Sequence, residues 1–541
     1  MIMSEKKFLN IISVVVLILQ AAVEALAVVS IWQLDVLPNL YLGLLVAVMV
    51  LLLAITAVIL FVSFKQGKTP GIVRRLVAVV MVLVISLGCA LVVDVMIDVR
   101  KAMQSVTDPN VVTSILEVYV LTGDSAKNLK DTAGYTFAVL SDLDGARSAK
   151  ALAQIEAVVG KAVSVRNCES VVEAMDLLYN GTVQAMVVDS AYLALLEDFE
   201  IYPDYESEIR VLQELVIEEE ATQPTETEPT ETEPTETEPT ETEPTETEPT
   251  ATDPVETTKP SETAPPATRP DFSDLTTTPF VIYISGSDTR GNTIRNSRSD
   301  VNIVAVVNPV TKQILLINTP RDTMVMNSAG KGKLDKLTHC GIYGINCSIN
   351  ALEDLYAVDI NYYAHINFSG FEKFVNSIGG IDVESPISFT MNNGKYSIKK
   401  GVNHLNGKKA LWFARERKGL PNGDYDRGKN QMRLIQAVVK KLTTSTAIAN
   451  YSAILDSLDG MFRTSFSFDD ISKLVRMQIT DMAEWEVHSF AITCKSGRAI
   501  TYSMPGYYLS VGYPTDKSVA QASKLIDKVL AGKKITSSDL K

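Results

Sequence analysis

Three long apolar runs occupy the amino-terminal part of the 541-residue chain. They extend over Ile11–Ile31, Leu40–Val62 and Leu76–Val93, and each approaches the ~20 residues that an α-helix needs to cross a bilayer. The pattern predicts three transmembrane helices within residues 1–101. A cleavable signal peptide is the alternative for the first run, because Ala25-Leu26-Ala27 is similar to a processing site. The run continues past that site, however, and two more runs follow it.

The positions of lysine and arginine around these runs predict their orientation in the membrane. Lys6 and Lys7 precede the first run, and further basic residues lie between the second and third runs. The turn at Gln33–Pro38 contains no lysine or arginine. We therefore expect a multi-pass protein of the cell membrane with a cytoplasmic amino terminus and extracellular C-terminal domains.

Residues 102–220 alternate short β-branched runs with segments of helical periodicity. Strands are predicted at Val118–Leu121, Thr136–Leu140, Ala162–Val165 and Ala185–Val188, and helices at Arg147–Val159, Ser170–Asn180 and Ser190–Asp198. This order is typical of a small parallel α/β unit and is similar to half of a periplasmic solute-binding fold. The sequence leaves open whether this accessory domain is a spacer or an interaction module.

Residues 221–271 are dominated by the repeat Thr-Glu-Thr-Glu-Pro. Proline at regular intervals excludes an α-helix, and the regularly spaced glutamate side chains repel one another. The pattern therefore predicts a disordered stalk. Glu218–Glu220 and the ten glutamates within Thr225–Thr250 account for 13 units of the formal net charge of −14. The rest of the chain is near neutral, so the acidity says little about a partner, and nothing indicates binding to nucleic acid.

Residues 272–541 mix strand-like and helical patterns. Strands are predicted at Val281–Ile284, Val301–Val307, Ile314–Ile317 and Tyr362–Asn367, and helices at Ile345–Tyr356, Phe371–Ser377 and Gly428–Leu442. The mixture indicates a sheet that is covered by helices. The predicted fold class of the whole chain is therefore α/β, preceded by three membrane helices.

Cysteine and histidine are too few for a zinc site at ligand spacing. The predicted extracellular domain contains Cys340, Cys347 and Cys494, and an extracellular location permits a disulfide. One disulfide with one thiol left over is the simplest count, and the sequence does not give the pairing. His339 is isolated, and a structural role is the better interpretation.

Charged residues stand where the predicted strands of the C-terminal domain meet loops. Arginine binds phosphate oxygens through a planar fork, and magnesium prefers one or two carboxylates plus phosphate oxygens. Several arginines with two or three carboxylates therefore suit a pyrophosphate that carries a divalent metal. The alternative is a set of surface ion pairs. On that interpretation Asp424 and Asp426 cap a helix that begins near Arg427.

Several motifs of this domain occur in a characteristic order. They are the stretch Val281–Asp322, Lys336-Leu337-Thr338-His339, His404-Leu405-Asn406-Gly407, Arg415-Glu416-Arg417, and Asp424-Tyr425-Asp426-Arg427 running to Gln431. With them, residues 280–442 resemble the LytR-CpsA-Psr family of bacterial envelope proteins. The resemblance implies an α/β/α sandwich with a deep apolar cleft that accepts a polyprenyl chain.

The same resemblance implies a role for each site residue. Magnesium would be bound by Asp288 and Asp300. The catalytic set would comprise Arg298, Arg321, Arg415 and Arg417, which hold the pyrophosphate, and Asp424, which acts as a general base. Substrate would also be bound by Lys336, Arg427 and Gln431.

The function implied by the resemblance is that of a membrane-anchored phosphotransferase. It would transfer a glycopolymer of the teichoic acid or capsular polysaccharide type from undecaprenyl pyrophosphate to peptidoglycan through a phosphodiester, with membrane lipid as a further partner. A non-catalytic module that binds polyprenyl pyrophosphate or glycan is the alternative. A regulator of transcription is disfavoured, because an extracellular domain has no access to DNA.

Overall fold

The computed structural model describes residues 5–61, 71–107, 111–198, 202, 204–220, 274–444, 454, 458 and 460–540. The stalk predicted at residues 221–271 lies outside these ranges. The described parts comprise three long amino-terminal helices and two α/β parts, which confirms the predicted fold class.

The amino-terminal segment forms helices α1 (Glu5–Leu34), α2 (Asn39–Phe61) and α3 (Gly71–Thr107). Within them, Asn10–Leu34, Asn39–Phe61 and Val73–Lys101 are long and apolar enough to cross a bilayer. The prediction of three apolar helices is thus confirmed.

The accessory domain is a five-stranded sheet with helices on it. Its strands are β1 (Val111–Leu121), β2 (Thr136–Val139), β3 (Ser164–Asn167), β4 (Ala185–Val188) and β5 (Ile209–Glu220). Its helices are α4 (Ser141–Val159), α5 (Val171–Tyr179), α6 (Ser190–Leu193) and α7 (Tyr205–Glu208). The strand order is β3-β2-β4-β1-β5.

The prediction of a small parallel α/β unit is wrong for one of the strands that it included. β2, β3 and β4 are parallel, but β1 runs antiparallel to β4 and to β5. β5 was not predicted at all, and it pairs with β1 from Val111↔Glu220 to Leu121↔Ile209. Pairing with the last strand of the domain fixes the direction of β1, and local periodicity carries no information on that pairing.

The C-terminal domain contains one large sheet and several strand pairs. Its strands are β6 (Phe280–Ser287), β7 (Ser299–Asn308), β8 (Gln313–Asn318), β9 (Met324–Asn327), β10 (Lys333–Lys336), β11 (Tyr362–Ile366), β12 (Ile381–Ser385), β13 (Phe389–Met391), β14 (Tyr396–Ile398), β15 (Gly401–Leu405), β16 (Phe462–Thr464), β17 (Glu486–Ala491), β18 (Cys494–Thr501) and β19 (Met504–Pro514). Its helices are α8 (Leu337–Cys340), α9 (Ile345–Tyr356), α10 (Phe368–Ser377), α11 (Gly407–Arg415), α12 (Asp424–Leu442), α13 (Phe468–Asp481) and α14 (Asp516–Leu530).

The large sheet has the order β16-β11-β6-β7-β8-β17 and is covered on both faces. Because side chains alternate along a strand, Tyr283, Val304 and Leu315 face one layer, where they pack against α8, α9 and α14. Ile303 and Leu316 face the other layer, which contains α12 and α13. The predicted α/β/α sandwich is confirmed.

The disulfide expected among the C-terminal cysteines is not formed in the structure, where all five cysteines are free thiols. The Cys494 thiol lies 3.4 Å from the hydroxyl of Thr323. The Cys340 thiol is hydrogen-bonded to Cys347, and this bond lowers the pKa of Cys347 to about 6. Hydrogen bonding therefore satisfies the thiols that were expected to oxidise.

The C-terminal domain rests on the membrane helices. Leu34, Val99 and Met103, near the carboxyl ends of α1 and α3, pack together with Phe468 and Ile471 of α13. Beside this contact the Nε of Arg476 donates to the backbone carbonyl of Asp35 at 2.9 Å, and the two side chains form an ion pair. The domain thus lies against the membrane helices rather than at the far end of an extended tether.

This contact predicts a specific cross-link. A chain with Asp35→Cys and Arg476→Cys, and with a protease site inserted between Thr222 and Pro270, is treated in membranes with a short bis-maleimide and then cleaved. Because the two parent side chains are in contact, we expect both halves in one band on a denaturing gel. Each single variant is a control. Separate halves in the double variant would show that the domain stands away from the helices.

Candidate functional site

A cleft of about 1380 Å³ opens between the sheet and the helices on one of its faces. Its walls are mostly apolar. They include Ile282 and Ile284 of β6, Phe371 and Phe374 of α10, Leu434, Val438 and Leu442 of α12, and Leu474 and Val475 of α13. The apolar side chains of these helices line the open cleft instead of packing against a filled core. The cleft therefore suits a long apolar ligand.

Two helix starts fix the wall that carries the arginines. Asn367 caps α10 by accepting the N–H of Gly370, and Asn406 caps α11 by accepting the N–H of Lys409. Gly407 follows the cap, and a Cβ at this position would lie 1.9 Å from the backbone oxygen of Glu372. Only glycine lets α11 approach α10 this closely, which gives a physical reason for the Asn406-Gly407 pair in the motif.

Eight of the ten predicted site residues line one polar end of this cleft. They are Asp288, Arg298, Asp300, Arg321, Arg415, Arg417, Arg427 and Gln431. Lys336 and Asp424 are not among the lining residues. Lys336 is buried and its Nζ lies 3.3 Å from Asp322, while Asp424 pairs with Arg427. Asp424 therefore borders the site through Arg427, whereas Asp322, the partner of Lys336, is not a lining residue and lies 4.0 Å from the Nε of Arg321.

Asp288 and Arg298 form a largely buried ion pair next to the start of β7. The Nε and Nη2 of Arg298 lie 3.0 Å and 2.6 Å from the same carboxylate oxygen, Oδ2 of Asp288. The Nη1 of Arg298 donates to the backbone carbonyl of Ala194 in the accessory domain at 3.0 Å. The guanidinium is thus held from two sides.

Asp300 lies next to a cluster of guanidiniums. Its Oδ1 accepts from the Nη1 of Arg321 at 2.7 Å. Burial alone would raise the pKa of Asp300, but Arg321, Arg298 and Arg427 outweigh burial and hold the pKa below its usual value. Asp300 is therefore a carboxylate at neutral pH, available to a cation.

Arg415 and Arg417 add positive charge to the lining of the cleft. The guanidinium of Arg415 lies 4.5 Å from the ring centre of Phe368 and 5.4 Å from that of Trp412, a cation–π arrangement. The turn after α11 is shaped by Glu416, whose Oε1 accepts the N–H of Arg417 at 3.1 Å and that of Gly419 at 2.8 Å. Both guanidiniums are left facing the cleft.

Arg427 and Gln431 stand one turn apart on α12 and both line the cleft, as their spacing predicts. Burial lowers the pKa of Arg427, but an arginine remains cationic at neutral pH. Asp424 lies in the first turn of α12 and pairs with Arg427, whereas Asp426 accepts the N–H of Asn422 at 3.0 Å. Neither carboxylate caps α12, whose N-cap is Gly423 without a side-chain cap hydrogen bond.

The donor set fits a magnesium ion that arrives with its ligand. Asp288 and Asp300 both line the polar end of the cleft, and each holds an arginine with one oxygen. Among the described residues there is no group of three or more His, Cys, Asp or Glu side chains that could hold a metal. Two carboxylates plus phosphate oxygens are nevertheless a common magnesium environment.

Three further residues that sequence reasoning missed shape the site. Phe368 and Trp412 lie beside Arg415, and Asp322 pairs with Lys336. Trp412 stands three positions before Arg415 on a helix, a spacing that places two side chains on the same face and could have identified it. Phe368 had no such signal, since it belongs to another helix.

Comparison with known proteins gives matches that centre on this domain. The model of the LytR_cpsA_psr family matches residues 242–517, just over half of the chain. The chain is 36% identical over 198 residues to an Enterococcus faecalis protein named polyisoprenyl-teichoic acid–peptidoglycan teichoic acid transferase TagU. It is 34% identical over 194 residues to a Bacillus mycoides protein of the same name.

Both of these matches cover 36% of this chain. The chain spans 64% of the length of the Enterococcus protein and 62% of that of the Bacillus protein, less than two thirds in each case. Among solved structures, that of TagV from B. subtilis covers 48% of this chain and 99% of its own length. Its identity to this chain is 24%, with a TM-score of 0.40.

The close approach at Gly407 predicts a position-specific loss of stability. Gly407→Ala forces α11 away from the carbonyl of Glu372, so we expect destabilisation of about 1–3 kcal/mol and a lower thermal midpoint. Gly134→Ala is the matched control, because a Cβ there meets nothing within 4 Å. Equal midpoints for the two variants would show that α11 does not depend on this contact.

Proposed function

The chain belongs to the LytR-CpsA-Psr family, and from this premise we propose that it is a membrane-anchored phosphotransferase of the cell envelope. It would take a glycopolymer of the teichoic acid or capsular type from undecaprenyl pyrophosphate and join it to peptidoglycan through a phosphodiester. The proposal is supported by the names of the relatives, which state a transfer of teichoic acid to peptidoglycan.

The observation that carries the proposal is the division of the cleft into a cationic end and an apolar remainder. The charged residues of the lining are six cations, Arg298, Arg321, Arg415, Arg417, Arg427 and Lys418, and three carboxylates, Asp288, Asp300 and Glu416. The excess of three positive charges suits a pyrophosphate that is esterified at both ends, which carries two negative charges. A polyprenyl pyrophosphate combines that headgroup with an apolar tail.

In the proposed reaction, a sugar hydroxyl of peptidoglycan attacks the phosphorus that carries the glycopolymer. A new phosphorus–oxygen bond forms to the acceptor, and the bond to the bridging oxygen breaks, so that polyprenyl phosphate leaves with the electron pair. Asp424, which pairs with Arg427 just outside the cleft lining, is proposed to take the proton of the hydroxyl. Arg298, Arg321, Arg415 and Arg417 stabilise the charge on the phosphoryl group and on the leaving phosphate, which is positioning and electrostatic catalysis without a covalent intermediate.

We propose that Asp288 and Asp300 hold Mg²⁺ together with pyrophosphate oxygens. When bound there, the ion would supply additional neutralisation of the charge on the phosphates. Asp300 lines the cleft together with Asp288, and the neighbouring arginines hold the pKa of its carboxyl below its usual value. The arginines would contact the side of the pyrophosphate that faces away from the metal ion and orient it.

Different losses are expected for the arginines and the carboxylates. Arg321→Ala removes a phosphate contact in both ground and transition states, so affinity for geranyl pyrophosphate should fall roughly 10- to 100-fold, and transfer with it. Asp300→Asn should leave affinity within a few-fold, but lower magnesium-dependent transfer of a lipid-linked oligosaccharide to peptidoglycan by about 100-fold.

Two substitutions far from the cleft lining serve as controls in both assays. Arg498→Ala and Asp382→Asn change the same residue types at exposed positions and should alter neither binding nor transfer. Transfer at the parental rate in Asp300→Asn would overturn the metal assignment. If the parent protein binds the lipid but transfers nothing, the non-catalytic binding module becomes the better reading.

We also propose that both α/β domains are extracellular, on the basis of the lysine and arginine distribution around the three helices. Protease added to intact protoplasts should cut within Thr222–Pro270 and separate the C-terminal domain on a denaturing gel. A tag at the amino terminus should stay protected until the protoplasts are lysed. Protection of the C-terminal domain in intact protoplasts would reverse the orientation.

A further inference from the structure

Arg298, one of the proposed pyrophosphate-binding residues, is held by a second domain. Its side chain is 7% exposed, and its Nη1 donates to the carbonyl of Ala194 at 3.0 Å. A buried guanidinium keeps a fixed orientation only if acceptors surround it, because an unpaired buried donor is costly. We propose that the accessory domain is a functional part of the pyrophosphate site: it positions Arg298 through Ala194, and Glu117 keeps Ala194 in place.

Glu117 of β1 joins the two domains at this point. Its Oε1 accepts from the Nη1 of Arg295 in the C-terminal domain at 2.9 Å. Its Oε2 accepts the backbone N–H of Ser190 at 2.9 Å. Ser190 begins the short helix that leads directly to Ala194, and Arg295 stands three residues before Arg298. One carboxylate therefore fixes both the segment that supplies the acceptor and the segment that supplies the guanidinium.

The surrounding interface is formed by buried apolar side chains of both domains. Tyr192, Leu195 and Leu196, which flank Ala194, belong to the same buried cluster as Leu509 and Val511 of the C-terminal domain. The ring of Tyr192 also meets that of Tyr343 edge-on, with 6.1 Å between ring centres. Domains of one chain move relative to one another unless their interface is large and apolar. This interface is apolar at its centre, and beside it Arg295 pairs with both Glu117 and Glu214 of the accessory domain.

If the accessory domain were only a spacer, it would need no contact with the site. The observed contacts, however, include a hydrogen bond to the guanidinium of Arg298. Glu117 touches no lining residue of the cleft that would bind phosphate, so its role is that of a positioning residue. Loss of its carboxylate should therefore weaken pyrophosphate binding only through Arg298. The apolar walls and the other arginines should be unaffected.

A double-mutant cycle on the full-length chain in detergent tests this dependence, with calorimetric binding of geranyl pyrophosphate as the readout. Glu117→Gln should lower affinity about tenfold in the parent chain, but by less than about twofold in an Arg298→Lys background. Arg415→Lys is the matched control background. Arg415 packs on Phe368 and Trp412 of the C-terminal domain, so there the full tenfold loss is expected.

Each other outcome overturns the inference. An equal loss in all three backgrounds would mean that Glu117 acts through general stability, and no loss in the parent would mean that Arg298 is positioned without it. The inference rests on the proposed function for the identity of the ligand. If the parent does not bind geranyl pyrophosphate, the proposed function fails instead. Hydrogen exchange of residues 294–299 then decides the positioning role, because Glu117→Gln should accelerate it and unchanged exchange would refute it.

Discussion

Positive charge gathered at one end of an apolar cleft is the constraint on which the rest of this structure depends. Guanidiniums that share a partly buried site repel one another, and each needs an acceptor or an aromatic face. The chain meets this need with carboxylates on β7 and α12 for Arg321 and Arg427, with aromatic rings for Arg415, and with a carbonyl of a second domain for Arg298. The cationic end that these contacts hold together is available to an anion.

The large sheet divides stability and binding between its two faces. On one face, Tyr283, Leu315 and their neighbours pack into a closed core with α9 and α14. On the other face, α12 and α13 stand far enough from the sheet to leave the cleft open, and apolar side chains such as Leu434 and Leu474 line it. Because a domain that leaves one layer partly empty must be stabilised by the other, the closed core is what permits a cleft of this size.

Both amino-terminal parts of the chain contact the C-terminal domain beside functional elements. The membrane helices meet α13, which forms a wall of the apolar cleft, and the accessory domain meets the loop that carries Arg298. The apolar cleft therefore lies next to the membrane segment, as an enzyme that takes a lipid-linked substrate would require. The cationic end is completed from the side of the accessory domain.

The sequence by itself determined the elements whose signal is local. The three apolar helices and the helix at Ile345–Tyr356 follow from hydrophobic periodicity, and the motif order alone selected ten site residues, of which eight line one cleft. Periodicity reports which side of an element is buried and nothing about what buries it. For that reason the antiparallel direction of β1 and the strand β5 were missed, and one disulfide was expected among Cys340, Cys347 and Cys494, which are free thiols in the structure.

Tertiary structure decided the contacts between residues that are distant along the chain. Arg298 and Ala194 are 104 positions apart, and Arg476 and Asp35 are 441 apart. Neither pair leaves a trace in local composition. Such contacts form only when packing brings their segments together, because the buried polar groups then have to find acceptors among whatever lies nearby.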